Sequence, residues 1–220
     1  MASNVGDSKD PTLTFEEACF AEGYELVVGV DEVGRGAIAG PVAVGVHVTF
    51  APDTPGPIPP FPAGLRDSKL LSEKKRELLA PLVAAWGQGE VGYVSAAEID
   101  ARGITWALGE AGRRGLLRLY EAGVPVARAV ILVDGKHDWL SPVLRSPLNV
   151  RTMVGGDRAV ATVAAASVRA KVDRDRVMRD AHEAEPHYAW ASNKGYGAKA
   201  HYAAIAEHGL SELHRASWIK

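Results

Sequence analysis

Leu26-Val27-Val28-Gly29-Val30-Asp31-Glu32-Val33, then Gly34-Arg35-Gly36-Ala37-Ile38-Ala39-Gly40, then Pro41 and a run of valines over 42–48: the reading of these residues decides the fold. Residues 26–30 are a short valine-rich apolar run, the pattern of a buried strand, and two acidic residues follow it directly. Residues 42–48 are valine-rich between turn signals and predict a second strand, so the short connection makes the pair a hairpin. A glycine-bearing stretch after a strand superficially suggests a dinucleotide-binding turn. Two features oppose that reading. Asp31 and Glu32 put negative charge where a pyrophosphate must approach, and Pro41 leads into a strand, leaving no helix N-terminus to hold phosphates.

Working outward, Thr14 with Glu17 three positions on reads as a capping box for a short helix ending near Gly23. Residues 52–62 hold six of the thirteen prolines and predict a rigid surface loop. Ser72 reads as the N-cap of a helix reaching about Trp86. Residues 91–95 predict a third strand, and 96–120 are mainly helical. Residues 129–133 predict a fourth, fully buried strand that ends in Asp134-Gly135. Residues 159–178 form a long helix with Val160, Val163, Ala164, Val168 and Val172 on one face. The last forty residues are helical, basic and aromatic-bearing. Antiparallel strands first and strand–helix alternation later predict one α/β domain over residues 1–220, with a mixed central sheet, flanking helices, an N-terminal segment (1–20) and a helical C-terminal part (about 180–220).

The net charge of −2 looks wrong for a partner made of phosphates, but it is unevenly distributed. Residues 1–33 carry eight acidic side chains against one lysine, so the other 187 residues carry a net +5, suited to a polyanion-binding surface. Five of the seven histidines fall between His182 and His214 without the i, i+4 spacing of a ligand pair, and read as surface or phosphate-side residues. A single cysteine, Cys19, excludes an internal disulfide framework, fits a reducing cytoplasm, and reads as a buried small hydrophobe. Residues 1–7 lack the basic patch and apolar core of a signal peptide, and no run of eighteen apolar residues predicts a membrane span.

Carboxylates fall where chemistry gathers. Asp31 and Glu32 follow one buried strand, Asp134 ends another, and Asp157 stands just before the long helix. Taken singly each has an ordinary reading, Asp157 as a helix cap and Asp134-Gly135 as a turn. Brought together they would repel, and hard divalent cations are the usual remedy in phosphodiester chemistry. An all-oxygen donor set suits Mg2+ or Mn2+ rather than zinc.

Residues 29–42 resemble the signature opening of ribonuclease HII, a type 2 ribonuclease H. The resemblance continues in order through Arg66-Asp67-Ser68-Lys69-Leu70-Leu71-Ser72, Glu98-Ile99-Asp100 with Gly103-Ile104, Leu132-Val133-Asp134-Gly135, Gly156-Asp157, Ala164-Ala165-Ala166-Ser167 and Ala170–Arg176. Lys194-Gly195-Tyr196-Gly197-Ala198-Lys199, His201 and His214-Arg215-Ala216-Ser217-Trp218 complete it. It departs at Gly155 (usually basic), Leu70 (often lysine) and Gly103 (usually asparagine), which bear on substrate affinity rather than on the reaction class.

The resemblance implies an RNase H-like fold with Asp31, Glu32, Asp134 and Asp157 as catalytic, metal-binding carboxylates around two Mn2+ or Mg2+ ions. It further implies that Gly34, Arg35 and Gly36 recognise a ribonucleotide 2′-hydroxyl and that Tyr196 packs on the sugar. Lys69, Lys194 and Arg215 are expected at phosphates, with a solvated surface charge as the alternative for each. Small residues 164–167 let the helix pack closely, and Trp218 reads as core. The implied substrate is an RNA–DNA hybrid or a duplex DNA carrying a ribonucleotide, cut 5′ to the ribonucleotide to leave a 3′-hydroxyl and a 5′-phosphate, by a monomer with no membrane partner. The implied roles are removal of misincorporated ribonucleotides and of primer remnants during DNA replication. Two rival classes are a non-catalytic nucleic-acid-binding module on the same fold, to which four acidic residues contribute nothing, and a nucleotide or sugar-phosphate transferase, whose phosphate-cradling loop is missing.

Overall fold

A computed structural model describes residues 10–53 and 56–219. Residues 1–7 and Pro55 of the proline-rich loop, both read above, lie outside the described residues. Five strands form one mixed sheet: β1 (Leu26–Val33), β2 (Val42–Phe50), β3 (Gly89–Val94), β4 (Ala129–Asp134) and β5 (Asn149–Met153), in the order β3-β2-β1-β4-β5. The predicted hairpin is there, β1 pairing antiparallel with β2 from Leu26↔Phe50 to Val33↔Ala43. β1 runs parallel to β4, and β4 parallel to β5. The parallel register places the acidic ends of β1 and β4 side by side at the same edge.

The helices are α1 (Thr14–Ala21), α2 (Glu73–Trp86), α3 (Ala96–Arg102), α4 (Ile104–Glu121), α5 (Gly156–Ala159), α6 (Ala161–Ala184), α7 (Trp190–Asn193) and α8 (Lys199–His208). Alternation along β1 sorts its side chains. Leu26, Val28 and Val30 join Val44, Val46 and Val48 of β2 in a fully buried core under α4. The opposite face receives α6 at very short range. A Cβ on Gly29 would stand 2.5 Å from the Thr162 carbonyl, and one on Gly45 would stand 2.3 Å from Ala166 O. Ala164, Ala165, Ala166 and Ser167 are almost wholly buried there, as their small size predicts. That close approach brings the start of α6, and Asp157 before it, under the carboxylate edge.

Ser72 caps α2 by accepting from the Lys75 amide, as expected. Thr14 does not cap α1: Leu13 holds that position and makes no side-chain bond, because Thr14 is already the first helical residue and its hydroxyl accepts from Thr12. The capping box that does form is Ser95 with Glu98, at the start of α3. α6 begins later and ends later than its valine pattern predicts, and it has no side-chain cap of its own. Glu16 of α1 supplies one across the structure, its Oε1 accepting from the Thr162 amide at 2.9 Å. Trp218 is partly buried against the main core, consistent with its reading.

Candidate active site

Asp31 sits in β1 with a side chain that is 2% exposed, and Glu32 beside it is half-buried. Asp134 ends β4, and its Oδ1 accepts from the Gly156 amide at 2.7 Å. Asp157 lies in the single turn of α5 and is 4% exposed. Gly155, where a basic residue is usual, has φ +72° and opens that turn in the left-handed conformation, which glycine adopts without strain. Gly103 has φ +81° and ψ 158°, a backbone region open essentially to glycine alone.

The four carboxylates act on one another. Burial, and then the negative charge of Glu32, holds the Asp31 carboxyl well above the usual range, with Asp134 adding to the effect. Burial also raises Glu32, again with Asp134 contributing. Asp157 is pushed up to about 6 by burial, then by Asp134, then by Asp67. Lys69 opposes all this: its ammonium is 3.5 Å from Asp157 Oδ2 and is held in its charged form by Asp31, Asp157, Asp67 and Glu32 against the opposing effect of burial. Asp67, itself buried, orients that loop by accepting from the Lys69 amide at 2.9 Å.

Such a site suits a hard cation. Its donors are all carboxylate oxygens, offset in part by Lys69 near Asp157 and by Arg35, 3.9 Å from Glu32. Among the described residues, no group of three or more histidine, cysteine, aspartate or glutamate side chains is drawn together tightly enough to grip one ion. The carboxylates turn instead toward protein donors, Asp31 Oδ1 to the Glu32 amide at 2.8 Å and Asp134 Oδ1 to Gly156.

Two clefts meet at this edge. One, of about 310 Å3, is lined by Glu32, Arg35, Asp134, Gly135, Lys136 and His137 among others. The second, about 260 Å3, is lined by Glu32, Gly34, Arg35, Gly36, Ser68, Lys69, Lys171 and Tyr196 among others. Glu32 and Arg35 belong to both, so the clefts form one groove. Larger hollows along α2 and beside the proline-rich loop lie away from the carboxylates and are lined mainly by apolar side chains.

Gly34, Arg35, Gly36, Lys69 and Tyr196 therefore gather at one place, while the other predicted contacts do not join them. Lys194 is 8% exposed and its ammonium donates to Ala191 O at 2.6 Å and to Glu73 at 3.2 Å. Arg215 is fully buried and donates to the carbonyls of Gly34, Arg35 and Gly40. Neither cation is free for a phosphate, because the loops they support cover them. His201 and His214 are also buried rather than phosphate-side. His201 Nδ1 bonds to Tyr196 O at 2.9 Å, so its Nε2 accepts from Trp190 and from His214. His187 and His208 do lie on the surface. Lys171, quoted in the motif but assigned no role from sequence, lines the second cleft, with its ammonium 2.6 Å from Asp175 Oδ1. Its position relative to the groove depends on the packing of α6, which no local pattern reports.

Comparison with known proteins agrees with this architecture. The sequence model of the family described as Ribonuclease HII matches residues 28–220. Ribonuclease HII of Streptomyces avermitilis is 43% identical over 210 residues, covering 94% of this chain and 83% of that protein. Ribonuclease HII of Salinibacter ruber is 39% identical over 207 residues, covering 94% and 97%. Among solved structures, the chain resembles RNase HII of Archaeoglobus fulgidus, determined as a complex with PCNA, with a TM-score of 0.64 at 25% identity over 88% of this chain and 95% of that one. It also shares the fold of Bst-RNase HIII in complex with Mn2+, with a TM-score of 0.69 at 21% identity over 88% and 67%.

Proposed function

The chain belongs to the ribonuclease HII family, and on that premise we propose that it hydrolyses the phosphodiester 5′ to a ribonucleotide, in an RNA–DNA hybrid or at a single ribonucleotide in duplex DNA. The observation that carries this reading is the groove shared by Glu32 and Arg35: carboxylates line one end, and Gly34, Gly36, Lys69 and Tyr196 line the other. A phosphate held at the acidic end has its neighbouring sugar at the glycine end.

Asp31, Glu32, Asp134 and Asp157 would hold two Mn2+ or Mg2+ ions, Asp31 being the most deeply buried of the four. When bound, such ions lower the pKa of an attacking water and neutralise charge on the leaving oxygen. Gly36 keeps the sugar side open: a Cβ there would meet nothing within 4 Å, and its φ does not require glycine. The protein's own packing gives no reason for a glycine at this position, whereas close approach of a ligand does. Tyr196, 39% exposed, offers a ring face to the sugar. Lys69 supplies a positive charge for a phosphate oxygen from a side chain that is 64% exposed. Attack in line on phosphorus leaves a 3′-hydroxyl and a 5′-phosphate. The biological setting that fits is ribonucleotide removal during DNA replication and repair, by a cytoplasmic monomer.

A labelled duplex carrying one ribonucleotide, incubated with and without Mn2+, tests the reading. A single metal-dependent nick 5′ to the ribonucleotide is expected. Equal cutting of the all-DNA duplex would refute it.

A further inference from the structure

Two arginines are buried beneath the glycine loop with no carboxylate partner among the described residues. Arg174 and Arg215 are both 0% exposed. The acidic side chains nearest to them are engaged elsewhere: Asp175 with Arg76 and Lys171, and Asp100 with Ser217 and the Ala216 amide. Both guanidinium groups discharge instead onto main-chain carbonyls. Arg215 donates to Gly34 O at 2.7 Å, Arg35 O at 3.0 Å and Gly40 O at 3.1 Å. Arg174 donates to Pro41 O at 2.8 Å, Lys194 O at 2.9 Å and Ala39 O at 3.1 Å. Burying two such charges is costly, and a fold that retains them has fixed the direction of six carbonyls in return.

That direction has a consequence for the cleft. In a planar trans peptide the C=O and the following N–H point opposite ways. With the Gly34 and Arg35 carbonyls drawn inward by Arg215, the amides of Arg35 and Gly36 face outward. Both residues are exposed, and among the described residues neither amide donates to a protein acceptor. Arg174 braces the same unit from below. A Cβ on Gly34 would stand 2.0 Å from its Nε, and its Cζ lies 5.7 Å from the centre of the Tyr196 ring. The two loops are joined as well, the Ile38 and Ala39 amides both donating to Gly195 O.

We propose that Arg215 is a specificity-positioning residue: by holding the Gly34 and Arg35 carbonyls inward it aims two free amides at the sugar, and so sets the preference for a 2′-hydroxyl, with Arg174 fixing Tyr196 to the same loop. This rests on the ribonucleotide reading above. It differs from a phosphate contact by Arg215, which would strengthen every duplex alike.

The test measures binding without divalent metal, by fluorescence anisotropy, to one duplex carrying a single ribonucleotide and to the same duplex in all-DNA form, over a series of salt concentrations. Arg215→Lys keeps the charge but cannot span three carbonyls. It should reduce the ribonucleotide preference at least fivefold, leave all-DNA affinity within twofold and leave the salt dependence unchanged. Arg174→Lys should do the same more weakly, and exposed Arg176→Met on the same helix should change nothing. Equal weakening on both duplexes with a shallower salt dependence overturns the proposal in favour of a phosphate contact. An unchanged preference in a folded Arg215→Lys protein, judged by circular dichroism, overturns it outright. A wild-type protein with no preference removes the ribonucleotide reading itself, and this proposal with it.

Discussion

Asp134 Oδ1 accepts a hydrogen bond from the Gly156 amide at 2.7 Å, which fastens the end of β4 to the turn that carries Asp157. One carboxylate is thus both a component of the acidic site and the fixture that positions its neighbour.

These two duties separate by substitution. Asp134→Asn keeps an oxygen for the Gly156 amide but removes the charge, whereas Asp134→Ala removes both. The metal-free alanine variant should be less stable than the asparagine variant by about 1 kcal/mol, the net worth of one such bond. Mn2+ should raise the melting temperature of the wild type and do so far less in either variant. An Asp134→Asn protein with the full Mn2+ shift would mean that the ion binds elsewhere.

Asp157 carries a charge that the fold disfavours. Its pKa is raised to about 6 in the folded protein, so the folded state takes up a proton before the unfolded chain does, and the penalty is complete only above that pH. Asp157→Asn should therefore stabilise the metal-free protein at pH 8, by on the order of 1–3 kcal/mol. The advantage should shrink as pH falls through about 6. Denaturant titrations in EDTA across that interval decide it, and a pH-independent difference would contradict the electrostatic origin.

Two neighbouring glycines should respond differently to alanine. Gly34 has φ +80° and a Cβ there would overlap the Arg174 guanidinium, so Gly34→Ala should lose at least about 1–3 kcal/mol of stability. Gly36 borders open space, so Gly36→Ala should melt as the wild type does while losing tenfold or more in cleavage at a single ribonucleotide. Normal activity in Gly36→Ala would remove the glycine loop from substrate recognition.

His47 should contribute to acid sensitivity. It is fully buried, stacks on Trp86 with centroids 5.1 Å apart, and accepts at Nδ1 from Arg169 Nε at 3.0 Å, while its Nε2 has no partner among the described residues. Burial, then the Arg169 charge, holds it well below the usual imidazole range. Below about pH 6.5 only the unfolded chain gains that proton, so stability falls by up to about 1.4 kcal/mol per pH unit for each such histidine. His47→Gln keeps an acceptor for Arg169 and should flatten the pH dependence between pH 6.5 and 5 by one proton. His201 and His214, also lowered by burial, leave a residual slope of the same sign. An unaltered slope would locate the acid sensitivity elsewhere.

Much of this was legible in the chain because it is encoded locally. Valine runs ending in Asp31-Glu32 and Asp134 specify strands and place acidic residues at their ends, and parallel pairing of β1 with β4 then makes those ends neighbours. Ser72 before α2 reads correctly because an N-cap depends on a few adjacent residues. β5 escaped: Asn149–Met153 is an edge strand of mixed residues, mostly half-buried, with neither alternation nor an apolar run. The Glu16 cap on α6 escaped too, since its partners are 146 positions apart.

The sequence by itself determined the family, the sheet-and-helix class and which residue types meet at the acidic edge, because periodicity and ordered motifs act over short stretches. Only the tertiary structure decided where the long cationic side chains go. Arg215 and Lys194 read as phosphate contacts, yet they turn inward to carbonyls and to Glu73, because the direction of a flexible side chain follows from acceptors that distant segments bring to it.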